Sequence, residues 1–390
     1  MLNELKNILK SKTHPTDEKE EAALTISNTL LEKKLYDDLG TFLVTIKTYW
    51  SDISIARYTK IIKNVLNYFP SKQEYFLPRY NLLEKLVEWS KIENKKTLFL
   101  DLEIKRIESL LSLKEYSKCL ECISPILKEL KKHDDKAGLI CLYVYESKAF
   151  YEQKNLSKAR SSLTSAKALA VNTYVSPVLQ AHIDMLSGIY LCDERSYSNA
   201  YSYFIEALEG FWQGKSFEDA IFVVRYMILC KIIDKKWNEI ESVLKLKQVS
   251  YFVADEIILL LLKINKACSE RNLKDYTDVL NTKGELMSSD TFLISHLYFL
   301  YDLLLEANIL KIVEPYSNIS IDYIADQMGF EPAFIEERLR KMILNGGISG
   351  TLDHVGRSLL LFVKESNEEF NSHYLEQINL MNQYISQLNK

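Results

Sequence analysis

Along most of this chain apolar residues recur at three- and four-residue intervals, the spacing that lines one face of a helix. Turn residues are sparse, with 11 glycines and 7 prolines in 390 residues, so long helices with short connections are expected. Self-comparison finds a period. Tyr116-Ser117-Lys118-Cys119 recurs as Leu156-Ser157-Lys158-Ala159 and as Tyr197-Ser198-Asn199-Ala200. Weaker echoes follow at Trp237-Asn238-Glu239-Ile240 and Tyr276-Thr277-Asp278-Val279. The fourth positions are 40, 41, 40 and 39 residues apart, and an earlier copy, Tyr36-Asp37-Asp38-Leu39, lies 80 residues before the first. Such a period marks stacked helix pairs, each burying its apolar face against its neighbours.

The copy around residue 200 is the clearest. Gly188, Ala200, Phe204 and Ala207 stand at the offsets of the small and aromatic positions in a tetratricopeptide-type hairpin. Gly188 and Ala200 would let two helices approach closely, and Phe204 would fill the hole this leaves. The copy before it has Ser147, Ala159, Leu163 and Ala166 at the same offsets. The first hundred residues are helical in pattern with degenerate repeats. There Pro70 and Pro78 read as brackets of an inter-helix loop, and Thr13 to Glu21 as a loop or frayed start.

The pattern changes after Glu314. A helix over Ile321 to Met328 is started by Ser320 and stopped by Gly329; a second runs from Pro332 to Asn345 and ends at Gly346-Gly347. Ile348 to Leu352 and Ser358 to Val363 read as strands joined by the polar turn Asp353 to Arg357. Two helices and a two-stranded wing are the order of a winged helix, entered through the apolar helix Phe292 to Leu310. Leu359, Leu360, Leu361 and Phe362 lie on an apolar strand of a very small sheet. They are expected to form an uncovered edge open to a neighbour's strand.

Beyond the wing, Tyr374, Ile378, Met381, Ile385 and Leu388 are spaced 4, 3, 4 and 3. That is the seam of a helix packing lengthwise on other helices. It either folds back on its own chain or joins a bundle with helices of other subunits, and the second use is the expectation carried forward. The fold class is mainly α. A right-handed TPR-like helical-repeat solenoid occupies 1–195, and a module over 196–366 has a helical part (196–318) and a small α/β winged helix (319–363). A C-terminal bundling helix (367–390) completes it.

Composition narrows the function. A charged content of 26%, a net charge of −4 and a pI near 6.0 leave no electrostatic footprint for nucleic acid. Within 319–363, Asp322, Asp326, Glu331, Glu336, Glu337 and Asp353 outnumber Arg338, Arg340, Lys341 and Arg357. Met1 to Lys10 carries Glu4, Lys6 and Lys10, so no leader is expected there, and the longest uninterrupted run of aliphatic residues is Ile257 to Leu262. An intracellular, soluble protein with reduced thiols is expected. Cys119 and Cys122 form a C-x-x-C with no second pair, and His14, His133, His182, His296, His354 and His373 are isolated from one another. Neither arrangement supplies four zinc ligands. Gly346-Gly347 lacks the Lys-Ser/Thr of a phosphate loop, and no G-x-S-x-G elbow occurs. No catalytic residue, cofactor, metal or small-molecule ligand is expected.

A helical-repeat array ending in a winged helix and a final helix resembles the PCI domain of the proteasome lid, the signalosome and a translation initiation factor. The likeness is more specific over Ala200-Tyr201-Ser202-Tyr203-Phe204-Ile205-Glu206-Ala207-Leu208-Glu209-Gly210 and Arg225-Tyr226-Met227-Ile228-Leu229-Cys230-Lys231-Ile232. It continues at Leu300-Tyr301-Asp302-Leu303-Leu304-Leu305-Glu306, Ile312-Val313-Glu314-Pro315-Tyr316-Ser317, Met342-Ile343-Leu344 and Gly350-Thr351-Leu352-Asp353. These stretches resemble the family of the lid subunit called non-ATPase regulatory subunit eleven. The resemblance is good from about residue 195 onward. Before that it rests on helix order, with an N-terminal portion that looks abbreviated. It implies a non-catalytic scaffold of the cytoplasm and nucleus that joins other PCI subunits wing to wing and gathers its last helix into a bundle. It also implies contacts with the ATPase ring and the α ring of the core particle, in a hetero-oligomer without nucleic acid or membrane. The alternatives are the paralogous signalosome scaffold and a winged-helix nucleic-acid or translation-factor subunit.

Overall fold

The computed structural model describes residues 16–50, 53–69, 73–93, 95–287, 290–354, 356–362 and 374–381. The chain divides into two compact units, Met1–Val253 and Ala254–Lys390. The boundary falls after the repeat echo at Trp237.

The first unit is built of helices α1 (Thr16–Glu32), α2 (Tyr36–Tyr49), α3 (Ile55–Asn67), α4 (Phe76–Ile92), α5 (Lys96–Ser112), α6 (Tyr116–His133) and α7 (Lys136–Glu152). It continues through α8 (Leu156–Ala170), α9 (Pro177–Asp193), α10 (Tyr197–Gln213), α11 (Phe217–Ile233) and the short α12 (Ile240–Leu244) and α13 (Lys247–Ser250). From Lys96 a helix starts every 20 residues, at Tyr116, Lys136, Leu156, Tyr197, Phe217 and the 3-10 turn at Trp237. Only Leu156 to Pro177 spans 21. The forty-residue repeat in the sequence is two of these steps.

A shared turn keeps the step constant. Lys34, Lys114, Asp134, Lys154, Arg195, Lys215 and Lys235 each adopt a left-handed conformation two residues before the next helix begins, with φ between 52° and 63°. At Lys154, for example, the amide donates to Tyr151 C=O (2.8 Å) and the Asn155 amide donates back to Phe150 C=O (2.9 Å). This pair of bonds satisfies carbonyls that the helix end would leave bare. Glycine is the usual occupant of that conformation, at lower steric cost. Six of these seven residues are instead lysine or arginine, whose charge suits the negative end of the helix dipole.

Two expectations for the first hundred residues change. Helix α1 already runs through Thr16 to Glu21, held by Arg57–Asp17 (2.8 Å) and Lys60–Glu20 (2.7 Å) ion pairs from α3. Pro78 sits in the first turn of α4, where its missing N–H would have no helical partner in any case, so it brackets no loop. Pro70 lies outside the described residues.

The second unit comprises α14 (Glu256–Ser269), α15 (Leu273–Met287), α16 (Thr291–Val313), strand β1 (Asn318–Ser320), α17 (Ile321–Met328), α18 (Pro332–Leu344), β2 (Gly350–Asp353) and β3 (Ser358–Leu361). Helix α16 is 23 residues long and apolar enough, by length and composition, to cross a membrane. Its Leu305, Ile309 and Val313 are instead buried in the winged-helix core with Ile319, Ile324, Ile335, Leu339 and Leu359. Gly329 ends α17 in a left-handed conformation (φ 72°), and Pro332 opens α18 at its first turn. Both devices are where the sequence put them.

Candidate interaction surfaces

The sheet has the order β1-β3-β2, antiparallel throughout. This corrects the expected edge: the apolar strand is the middle of the sheet, and its backbone is paired on both sides. Leu361 N donates to Ser317 C=O (2.9 Å) toward β1, and Phe362 N donates to Ser349 C=O (2.9 Å) toward β2. The short strand Asn318–Ser320 takes the position that a two-stranded wing would leave open. A proline at Leu360 would therefore break the Leu360–Thr351 pairing of the sheet itself. Among the described residues, β1 and β2 are the two edges of the sheet, and no strand pairs with the outer side of β2. Because Phe362 and Ser349 form a hydrogen-bonded pair, ladder alternation turns the N–H and C=O of Gly350 and Leu352 away from β3. Gly350 is required here, since a Cβ at that position would lie 2.4 Å from Leu360 C=O.

Alternation also divides the four apolar residues. Leu359 is fully buried and Leu361 packs against the same core, while Leu360 (41% exposed) and Phe362 (60% exposed) face out. The bases of the winged helix are paired within the unit. Arg338 meets Asp302 (2.5 Å), Arg340 meets Glu336 (3.3 Å), Lys341 meets Glu337 (2.7 Å) and Arg357 meets Asp322 (3.8 Å).

Residues 374–381 are helical. Tyr374, Ile378 and Met381 of the seam are 54%, 52% and 65% exposed, and Leu375 and Leu380 are exposed beside them. Ile385 and Leu388 lie outside the described residues. Sequence reasoning missed one further surface in this unit. A groove of about 700 Å³ is lined by Leu297, Tyr298, Phe330, Phe334 and Arg338, with the Phe330 and Phe334 ring centroids 5.4 Å apart. The signal available was Phe330 and Phe334 flanking the helix start at Pro332.

In the first unit Gly188, Ala200, Phe204 and Ala207 are brought together on α9 and α10. The last three are fully buried, and a Cβ on Gly188 would come within 2.6 Å of the Phe204 ring. Phe204 also packs on Tyr226 of α11, centroids 5.7 Å apart. The C-x-x-C pair has a structural environment. Burial pushes the Cys119 thiol up to about 12, away from the thiolate a metal needs, and Cys122 accepts a long contact from Arg106 Nη2 (3.7 Å). Among the described residues no three His, Cys, Asp or Glu side chains gather as a metal site.

Comparison with known proteins agrees with this architecture at both ends. The PCI domain family matches residues 273–362, from the start of α15 to the end of the wing. The family described as the 26S proteasome regulatory subunit RPN6 N-terminal domain matches residues 2–113, the stretch in which the repeats are degenerate. A 26S proteasome non-ATPase regulatory subunit 11 of Dictyostelium discoideum is 30% identical over 389 residues, covering 99% of this chain and 94% of that protein. Its Arabidopsis thaliana homologue is 30% identical over 95% of this chain and 88% of its own length. The 26S proteasome regulatory subunit RPN6 of Saccharomyces cerevisiae is 28% identical over 95% and 86%. A match of this extent, carried by the helix pairs and the winged helix alike, makes this chain a member of the 26S proteasome non-ATPase regulatory subunit 11 family.

Proposed function

We propose that this chain is a non-catalytic scaffold subunit of the lid of the 26S proteasome regulatory particle, serving ubiquitin-dependent protein degradation in the cytoplasm and nucleus. It joins neighbouring PCI subunits through the winged helix and the C-terminal helix. The first unit reaches the ATPase ring and the α ring of the core particle. The observation that carries this reading is the helical segment 374–381, which presents Tyr374, Ile378 and Met381 at half exposure or more on a single stripe. Apolar residues exposed at this spacing, Ile378 and Met381 above all, suit a helix that packs lengthwise on helices of other chains. The outward pair Leu360 and Phe362 and the open rim of β2 offer the wing two further contacts, one apolar and one through backbone hydrogen bonds.

The test is reconstitution with the neighbouring lid subunits. Removing residues 370–390 is expected to leave a folded chain, with an unchanged far-ultraviolet dichroism melt for the rest, that no longer enters the assembly. Normal incorporation of the shortened chain would refute the bundling role.

A further inference from the structure

The first unit contains a basic pocket that the scaffold reading does not use. It has a volume of about 360 Å³ and lies where α4 ends, α5 begins and α6 ends. Lys91, Lys95, Lys96, Lys132 and His133 line it with Phe99, and Glu129 is the one carboxylate among the lining residues. With Lys95 offset by the adjacent Glu93, three ammonium groups against one carboxylate give a local charge of about +2 in a chain whose net charge is −4.

The lysines are not all engaged. Lys95 is fixed: its ammonium lies 3.3 Å from the Glu93 carboxylate, 4.1 Å over the Trp89 ring and 4.8 Å over the Tyr58 ring. Lys91 stands 5.2 Å over Phe99, and neither it nor Lys96 nor Lys132 makes an ion pair among the described residues. Helix α5 begins in the wall with no side-chain cap from Lys95, so the positive end of its dipole adds to the same field. The simplest structural role for Lys91 and Lys132 is to offset the dipoles at the ends of α4 and α6. That role calls for a cation at a helix C-terminus and does not account for Lys96, which stands at the positive N-terminal end of α5. A cation at that end opposes the helix dipole, and an anion bound beside it would satisfy both.

We propose that this pocket binds a compact polyphosphate anion. Its volume is at the lower end of the range for small-molecule sites, roughly 300–1,000 Å³. An extended acidic peptide spreads its carboxylates over about 3.3–3.6 Å per residue and would leave so small a cavity after a few residues. A chain of phosphates concentrates several charges in the same volume, and lysine meets each as a freely rotating point charge. The same chemistry is carried by a free polyphosphate and by a phosphorylated lipid headgroup.

The experiment is calorimetric titration of the full chain with sodium tripolyphosphate at low ionic strength. One saturable site is expected, weakened at least about tenfold by K96Q together with K132Q. Both side chains are exposed, so an unchanged melting temperature of the ligand-free variant confirms that its fold is intact. Absence of binding, equal binding by the variant, or displacement by sulfate at matched ionic strength would overturn the proposal. Capture on vesicles carrying phosphatidylinositol bisphosphate that tripolyphosphate competes away would support it and identify the lipid source. Vesicle capture without any binding of tripolyphosphate, or tighter binding of hexaglutamate, would overturn it.

Discussion

The helix pairs α7–α8 and α9–α10 occupy successive repeats and bring equivalent positions together by different chemistry. In α9–α10 the contact is dry. Gly188 presents bare backbone and the Phe204 ring lies directly on it, backed by Tyr226. In α7–α8 the glycine's place is taken by Ser147, and Phe204's by the smaller Leu163. The Ser147 hydroxyl donates to Ala159 C=O on the facing helix (2.8 Å) and lies 2.6 Å from the Tyr190 hydroxyl, which reaches back from α9. One pair fills its closest approach with an aromatic ring from its own second helix. The other uses a hydroxyl bridge that also ties it to the next pair. The period is therefore a rule about helix spacing, and it leaves the means of close approach free to vary.

Four measurements would break or sharpen this contrast. Exchanging Phe204 for Ala is expected to lower the unfolding free energy by about 3–5 kcal/mol, since a fully buried ring leaves a cavity against Gly188 and Tyr226. A loss below about 1 kcal/mol in a denaturant titration would mean that the dry contact is not what holds the pair. Placing the other copy's residue in the dry site, as Gly188→Ser, is expected to cost about 1–3 kcal/mol by overpacking. Its Cβ meets ring atoms at 2.6 to 2.8 Å. A neutral result would show the two sites to be interchangeable.

Ser147→Ala is expected to cost about 1 kcal/mol, because Tyr190 keeps a 3.2 Å contact to the carbonyl of residue 147. In a double-mutant cycle with Tyr190→Phe the two losses should be clearly less than additive; strict additivity would deny the bridge. The smallest effect is one of pH. His182 of α9 is held down to about 3, first by burial and then by the neighbouring Lys148 of α7. It also lies 3.9 Å from Asp219 of α11 and edge-on to Phe211. The unfolded chain takes up the proton near pH 6.5 and the folded chain does not, so stability falls as pH drops through that window. The loss between pH 6.5 and 5.5 should be about 1 kcal/mol, and in His182→Gln this part of the pH dependence should disappear.

Much of the fold is legible along the chain because it is local. Tyr116, Leu156 and Tyr197 open α6, α8 and α10, and Gly329 and Pro332 stop and start the winged-helix helices. Gly188 and Phe204 announced their contact by offset alone. What depends on pairing between distant segments was not legible. Asn318-Ile319-Ser320 is too short to show alternation, so nothing local revealed a third strand, and without it Ser358–Leu361 passes for a rim. The basic pocket is hidden for a similar reason. Lys91, Lys96 and Lys132 are separated in sequence and look like ordinary solvated lysines until α4, α5 and α6 bring them together.

The constant twenty-residue step has a consequence for how the length of this chain can change. Between Lys96 and Trp237 almost every link is two hydrogen bonds tight, and adding one residue inside a helix would turn everything after it by about 100°, carrying its buried face out of place. The exception is the link from Val171 to Ser176, where α8 is 15 residues long and the next helix begins one residue late. Val171 and Tyr174 there are 83% and 95% exposed, so the spare residue lies in solvent and disturbs no neighbour. Lineages that lengthen or shorten this part of the chain should carry their insertions and deletions at that one seam, and a tag or probe placed there would leave the stack in register.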